Sequence, residues 1–197
     1  MRLLRLVVLI TFYYMTTASS PLIIGLNAAL QRTASFPCVV TGAVNRASGL
    51  EIGIGGKGQN AQLAASIMAA ASPRLPETRL AQFVGQGFEG DQLFHLQKAW
   101  GVLTSETTIR STGRCRTCFT LLDQTSKDAT ELIEPSEPVS EEDVKKLLDT
   151  LKDVYATEKA TGIAIMGRYV NLSKIYAVCY TDICACKHVR LHVCMCV

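Results

Sequence analysis

Gly53-Ile54-Gly55-Gly56-Lys57-Gly58-Gln59-Asn60-Ala61-Gln62-Leu63-Ala64 stands between a short apolar segment and an alanine-rich stretch with helical spacing. Four of its first six residues are glycine. A backbone without Cβ atoms lets a ligand come closer than side chains would allow. The helix that follows presents N–H groups with no partner inside the helix, which suit an anion or a hydroxyl-rich ligand. Lys57 adds a mobile positive charge, and Asn60 offers both a donor and an acceptor. The segment reads as a cradle for a sugar or a phosphate.

Other readings of the same glycines compete with this one. A Walker loop needs Ser or Thr after its lysine to hold magnesium, whereas Gly58 follows Lys57. Gly53, Gly55 and Gly58 satisfy G-x-G-x-x-G, but a dinucleotide site also needs an acidic residue closing the second strand, about 20 residues on. Glu77 has that separation yet precedes the next apolar strand instead of ending it. A glycine-rich turn that binds nothing is the remaining alternative.

Gly55–Asn60 resembles the Gly-Gly-Lys-Gly-x-Asn sugar loop of the ribokinase/PfkB carbohydrate kinases, and four further segments resemble that family in the family's order. Leu22–Thr33 is similar to the first strand and turn of the 1-phosphofructokinase branch, T-L-N-P-A-L-D-R-T. Val44-Asn45-Arg46 matches the strand before the glycine loop. Val84–Gly90 resembles V-G-x-D-x-x-G, and Thr130–Pro135 resembles T-E-L-x-E-P. The resemblance covers residues 22–167. It implies an α/β, ribokinase-like (Rossmann-like) three-layer fold with a small β lid, of which this chain carries the N-terminal half, truncated.

The resemblance also implies an activity, the ATP-dependent phosphorylation of a sugar or sugar phosphate, with ATP and Mg2+ as cofactors. Its sugar-binding positions fall on Gln31, Asn45, Arg46, Gly56, Lys57, Gly58 and Asn60. A homodimer through the lid sheet is the implied partner. The family's catalytic Asp in Gly-Ala-Gly-Asp, the anion hole at the same helix start and an N-x-x-E motif belong C-terminal to residue 167, and none occurs in residues 168–197. The chain is therefore expected to carry only the sugar-binding half and to be inactive alone. The alternative is a non-catalytic sugar-binding or dimerisation module. Three departures bear on the substrate: Gln31 stands where the family has Asp, Ala28 where it has Pro, and Gln86-Gly87 where it has an acidic residue. Gln31 carries no charge but still donates and accepts hydrogen bonds, so the identity of the sugar stays open.

Composition agrees with a single packed unit. The chain has 197 residues, 48% of them hydrophobic, enough for a sizeable core. Its 20 basic and 17 acidic residues are well mixed, and no basic stripe with interleaved aromatics appears, which gives nucleic-acid binding no support. Residues 1–20 have the layout of a signal or targeting leader: Arg2 and Arg5, the apolar run Leu6–Met15, then Thr16–Ser20. That run falls short of the about 20 residues a membrane-spanning helix needs. An apolar strand or an untidy gene start is the alternative, and localisation stays open between cytoplasm and an organelle.

Along the chain, strand and helix patterns alternate, which argues a mainly parallel sheet. Strands are expected at Leu22–Leu26, Leu80–Val84, Thr117–Asp123, Thr130–Glu134 and Ile163–Met166, with short segments in 32–54. A helix is expected over Gln59–Ala71, with Leu63, Ile67 and Ala71 on its inner face. A second begins with Asp91 as cap and ends at Gly101. The third has the clearest start: Ser140-Glu141-Glu142-Asp143 is a capping box, and Val139 and Val144 are spaced as a hydrophobic staple. Cys115 and Cys118 form C-x-x-C within a strand-like segment, read as packing, and His95 is read as a surface residue.

After Gly167 the pattern stops. Residues 168–197 form a cysteine-rich tail holding five of the eight cysteines. Cys184, Cys186, His188, His192, Cys194 and Cys196 suit a zinc or copper site in type, but C-x-C pairs differ from the usual C-x₂₋₄-C spacing. Disulfides are the second account, in an oxidising compartment. Read-through of non-coding sequence from Val170, whose codon begins with GT, is the favoured third. On that reading Ile163–Met166 is left as a bare sheet edge.

Overall fold

The computed structural model describes residues 21–72, 75–102, 106–158, 162–167 and 190–194. In chain order these form β1 (Pro21–Gly25), β2 (Ala29–Phe36), β3 (Gly49–Gly55), α1 (Lys57–Ala71), β4 (Arg79–Gln86) and α2 (Phe88–Ala99). There follow β5 (Thr108–Arg114), β6 (Arg116–Asp123), β7 (Ala129–Ile133), α3 (Glu141–Glu158), β8 (Gly162–Met166) and β9 (Arg190–Cys194). Two sheets result. The larger has the order β5-β4-β1-β8-β9 with every neighbour parallel, and the smaller has the order β3-β2-β6-β7.

Alternation along the central strands explains the layering. Leu22 and Ile24 of β1 face one side and pack with Ala81, Phe83, Ile163 and Ile165 against Val144, Leu147 and Leu151 of α3. Ile23 faces the other side, with Leu80 and Val84, against Ala61 and Ala65 of α1 and Leu93 of α2. Each fully buried Leu or Ile contributes roughly 1.5–3 kcal/mol by leaving water. The result is the expected three-layer α/β/α, ribokinase-like architecture. In the small sheet β2 runs antiparallel to β3 and parallel to β6, and β6 and β7 form an antiparallel hairpin. Leu30 and Ile54 join the second core cluster, so this lid sheet is anchored to the main sheet through side chains.

Several local expectations are corrected. α1 begins at Lys57, and its inner face is Gly58, Gln59, Ala61, Gln62 and Ala65, while Ile67 is 62% exposed. Small residues face inward because helix and strand nearly touch. A Cβ on Gly58 would lie 2.4 Å from the Gly25 Cα. α2 begins at Phe88 after Gly87, whose φ is 90°, and Asp91 lies in its first turn bonded to Arg110 at 2.7 Å instead of capping it. β5 is an additional strand. Its sequence, TIRSTGR, has no apolar alternation because it forms one edge of the parallel sheet. β9 pairs with β8 from Gly162–Arg190 to Met166–Cys194, so Ile163–Met166 is not a bare edge. Five residues were too short a window for the period to be read.

The start of α3 forms one half of the expected capping box, while Asp143 Oδ2 is buried with no partner among the described residues instead of reaching back to Ser140. The Asp143 N–H donates to Ser140 Oγ at 3.1 Å, and Val139 and Val144 belong to one apolar cluster. Cys115 is buried in the core and His95 is exposed. Residues 1–20, Val170 and the tail residues Cys184, Cys186, His188 and Cys196 lie outside the described residues.

Candidate functional site

The main sheet has a reversal of strand order built into it. From β1 the chain adds β4 and β5 on one side, then β8 and β9 on the other. At such a point the loops leave in opposite directions and a crevice opens beyond the carboxyl ends of the strands. A cleft of about 1230 Å³ lies there. Asn27, just after β1, and Met166 and Gly167, at the end of β8, form its floor. Gly56, Lys57 and Asn60 form one wall. The lid contributes Gln31, Arg116, Cys118 and Thr120, and the segment Glu134–Val139 closes the far side.

The glycine loop makes its wall through backbone geometry. Gly56 precedes α1 with φ 106°, a conformation that favours glycine, and no side chain caps the helix. The first intrahelical bond is Asn60 N–H to Gly56 O at 2.9 Å. The amides of Lys57, Gly58 and Gln59 therefore precede the helical ladder, the arrangement that draws anions to helix starts.

The lid holds its polar groups in place by pairing β2 with β6. Gln31 lies opposite Cys118 in that register, and its Nε2 donates to Thr120 Oγ1 at 2.9 Å. Arg116, at the start of β6, donates through one terminal nitrogen to Asn27 O at 3.3 Å. Its Nε is buried with no partner among the described residues. Ser136 donates to Asn27 Oδ1 at 2.8 Å, so Asn27 ties floor, lid and closing segment together. Glu134 accepts from Thr117 N–H at 2.7 Å and lies 3.5 Å from the Arg114 guanidinium, while Glu137 accepts from Arg114 N–H at 2.9 Å. Lys57 and Arg116 bring positive charge to the same cleft that Glu131, Glu134 and Glu137 line with carboxylates. Burial raises the Cys118 thiol, with Arg116 opposing the effect, and pushes Cys115 up to about 11.

Of the residues singled out in the sequence, the cleft brings together Gln31, Gly56, Lys57 and Asn60. It does not bring Asn45, Arg46 or Gly58. Asn45 fastens the β2–β3 loop, accepting from Val40 N–H at 2.8 Å and donating to Val40 O and Ala43 O. Arg46 is exposed in the same loop. Gly58 is the contact between α1 and β1. The sequence reading missed Asn27, Arg116, Thr120 and Ser136. No local signal marks Arg116, which lies between Cys115 and Cys118, because β2–β6 pairing brings it to the cleft.

A cleft at the switch point of a three-layer α/β fold, bordered by a four-stranded lid sheet, is the architecture of the ribokinase-like fold. The family model for pfkB family carbohydrate kinases matches residues 23–197, and the chain belongs to that family. Among solved structures, phosphofructokinase-2 from Escherichia coli in complex with fructose-6-phosphate aligns with TM-score 0.72 at 16% identity, covering 89% of this chain and 54% of that one. A structure described as a possible 1-phosphofructokinase from Thermotoga maritima aligns with TM-score 0.71 at 21% identity, covering 88% and 53%. The chain thus spans about half the length of the structures it matches. No curated protein matches it.

Proposed function

We propose that the cleft binds a sugar phosphate of the 1-phosphofructokinase type and that this chain is the sugar-binding half of an ATP-dependent kinase. The observation that carries this reading is the convergence of Lys57 and Arg116, with the polar Gln31, Asn27 and Asn60, on one crevice at the strand-order reversal. Two cations suit a phosphate, and amides that both donate and accept suit hydroxyls. Phosphofructokinase-2 with fructose-6-phosphate shares the fold, which supports the same substrate class.

Phosphoryl transfer needs a base for the attacking hydroxyl and preorganised charge at the moving group. Among the described residues no three His, Cys, Asp or Glu side chains are grouped to hold a metal ion, although Mg2+ usually takes only one or two protein carboxylates beside the substrate's phosphates. Neither Gly-Ala-Gly-Asp nor N-x-x-E occurs in the sequence. The chain alone is expected to position a sugar without reacting with it. A signal or targeting leader over residues 1–20 belongs to the same proposal, whereas the family match runs on through residue 197 and β9 continues the main sheet beyond residue 167. Calorimetric titration with fructose 6-phosphate and fructose 1-phosphate, beside an ATP-turnover assay, tests it. Saturable binding without turnover is expected. Turnover by the purified chain would overturn the division of labour, and absence of binding would overturn the site.

A second reading, a dimerisation module, is favoured by the lid itself. Leu50 on edge strand β3 and Leu132 and Ile133 on edge strand β7 are more than half exposed. Exposed apolar side chains on open strand edges suit pairing with a second copy. Sedimentation of the chain with and without Leu132→Lys reads this directly, a dimer that becomes monomeric being the expected result.

A further inference from the structure

Three glutamine side chains lie in line through the core. Gln59 is in the first turn of α1, Gln82 in β4 and Gln97 in α2, and none has any exposure. Gln59 Nε2 donates to Gly25 O at 3.1 Å and to Gln82 Oε1 at 3.0 Å. Gln97 Nε2 donates to Gln82 Oε1 at 3.1 Å, and Gln82 Nε2 donates to Gln97 Oε1 at 2.8 Å and to Thr108 Oγ1 at 3.1 Å. Gln82 so uses both donors and both acceptor positions of its amide. Side chains of α1, β4, α2 and β5 and the end of β1 are joined by one buried polar chain.

The glycines around Gln59 are shaped by it. A Cβ on Gly25 would lie 2.7 Å from Gln59 Nε2, and a Cβ on Gly56 would lie 2.2 Å from Gln59 Oε1. Gly25 does not have a positive φ, so its backbone conformation suits any residue, and the nearest atoms a Cβ there would meet are those of the Gln59 amide. The motif of the 1-phosphofructokinase branch has Thr at this place, and residue 59 is the variable position of Gly-Gly-Lys-Gly-x-Asn.

We propose that Gln59 is a positioning residue for the ligand cleft: wedged between Gly25 and Gly56 and tethered to Gln82, it fixes the Gly56–Asn60 loop at the end of β1. Gln59 itself does not line the cleft, whereas Gly56, Lys57 and Asn60 do. The buried chain resists loosening because each amide set free would lose partners where no water reaches. The consequence for ligand binding rests on the sugar-phosphate reading above.

The full chain carrying Gln59→Met, which keeps the volume and removes the amide, tests the tether. Amide hydrogen exchange at residues 57–60 is expected to rise roughly tenfold beyond any change in global stability, with a similar loss of fructose 6-phosphate affinity. Unchanged exchange and affinity would overturn the proposal. The wedge is tested by Gly25→Thr, Gln59→Ala and the pair combined. Gly25→Thr alone should lower the unfolding midpoint or prevent folding, and adding Gln59→Ala should restore much of it. Additive losses, or a double variant that does not fold, would overturn the assignment. A wild-type chain that ignores both fructose 1-phosphate and fructose 6-phosphate yet shows the exchange pattern would remove the sugar-phosphate reading and leave Gln59 as the anchor of the loop.

Discussion

Gly58 and Gly25 meet backbone to backbone: a Cβ on Gly58 would lie 2.4 Å from the Gly25 Cα and 3.0 Å from its nitrogen. No flexible side chain stands there to move aside. α1 therefore sits as close to β1 as two chains allow, and its first turn is delivered to the carboxyl end of the sheet, beside the cleft.

Gly58→Ala should accordingly push α1 off the sheet. Overpacking of this kind costs typically 1–3 kcal/mol, and with backbone as the obstacle the upper end, about 3 kcal/mol, is expected. The urea midpoint reads it. Gly49, which has open space around it, provides the control: Gly49→Ala should change the midpoint little.

The Cys115 thiol is held up to about 11 by burial, against 9.0 for the unhindered group. Unfolding frees it to ionise, so above pH 9 the unfolded state binds fewer protons than the folded one. Stability is then lost as pH rises from about 9 through about 11, on the order of 2 kcal/mol for this group alone. Comparison of the native chain with Cys115→Ala over that range isolates the effect, and the variant should show the shallower slope. Exposed Cys38 should react with a thiol reagent at pH 8 while Cys115 stays protected.

Ser140 Oγ satisfies the Asp143 amide at the start of α3. Ser140→Ala should cost about 1 kcal/mol, and Ser140→Asp should restore most of it. Thermal unfolding of the three chains checks the order.

What could be read from sequence was whatever is local. α3 announced itself through its cap, its staple and the spacing of Val144, Leu147 and Leu151, all within one segment. The β6–β7 hairpin was legible from two apolar runs across a polar turn. The inner face of α1 was legible only in part: Leu63 does pack against the core, but Ile67 is exposed, and Gly58, Ala61 and Ala65 make the close approach to β1. Arg116 and Asn27 are 89 positions apart, and only the parallel pairing of β2 with β6 makes them neighbours. Asn45 was placed at the site by resemblance, yet its amide is consumed by Val40 and Ala43 in its own loop. Local periodicity reports what a segment buries, and a cleft assembled from five separate segments leaves no such periodic mark.

The central claim is that Arg116 and Lys57 receive a phosphate. Calorimetric titration of the full chain with fructose 1-phosphate and fructose 6-phosphate, repeated on Arg116→Ala with whichever binds, tests it most directly. The account predicts saturable one-to-one binding that weakens roughly tenfold or more in the variant, the loss expected when a charged hydrogen bond is removed. Equal affinity in both chains, or binding of fructose and fructose 6-phosphate alike, would contradict it.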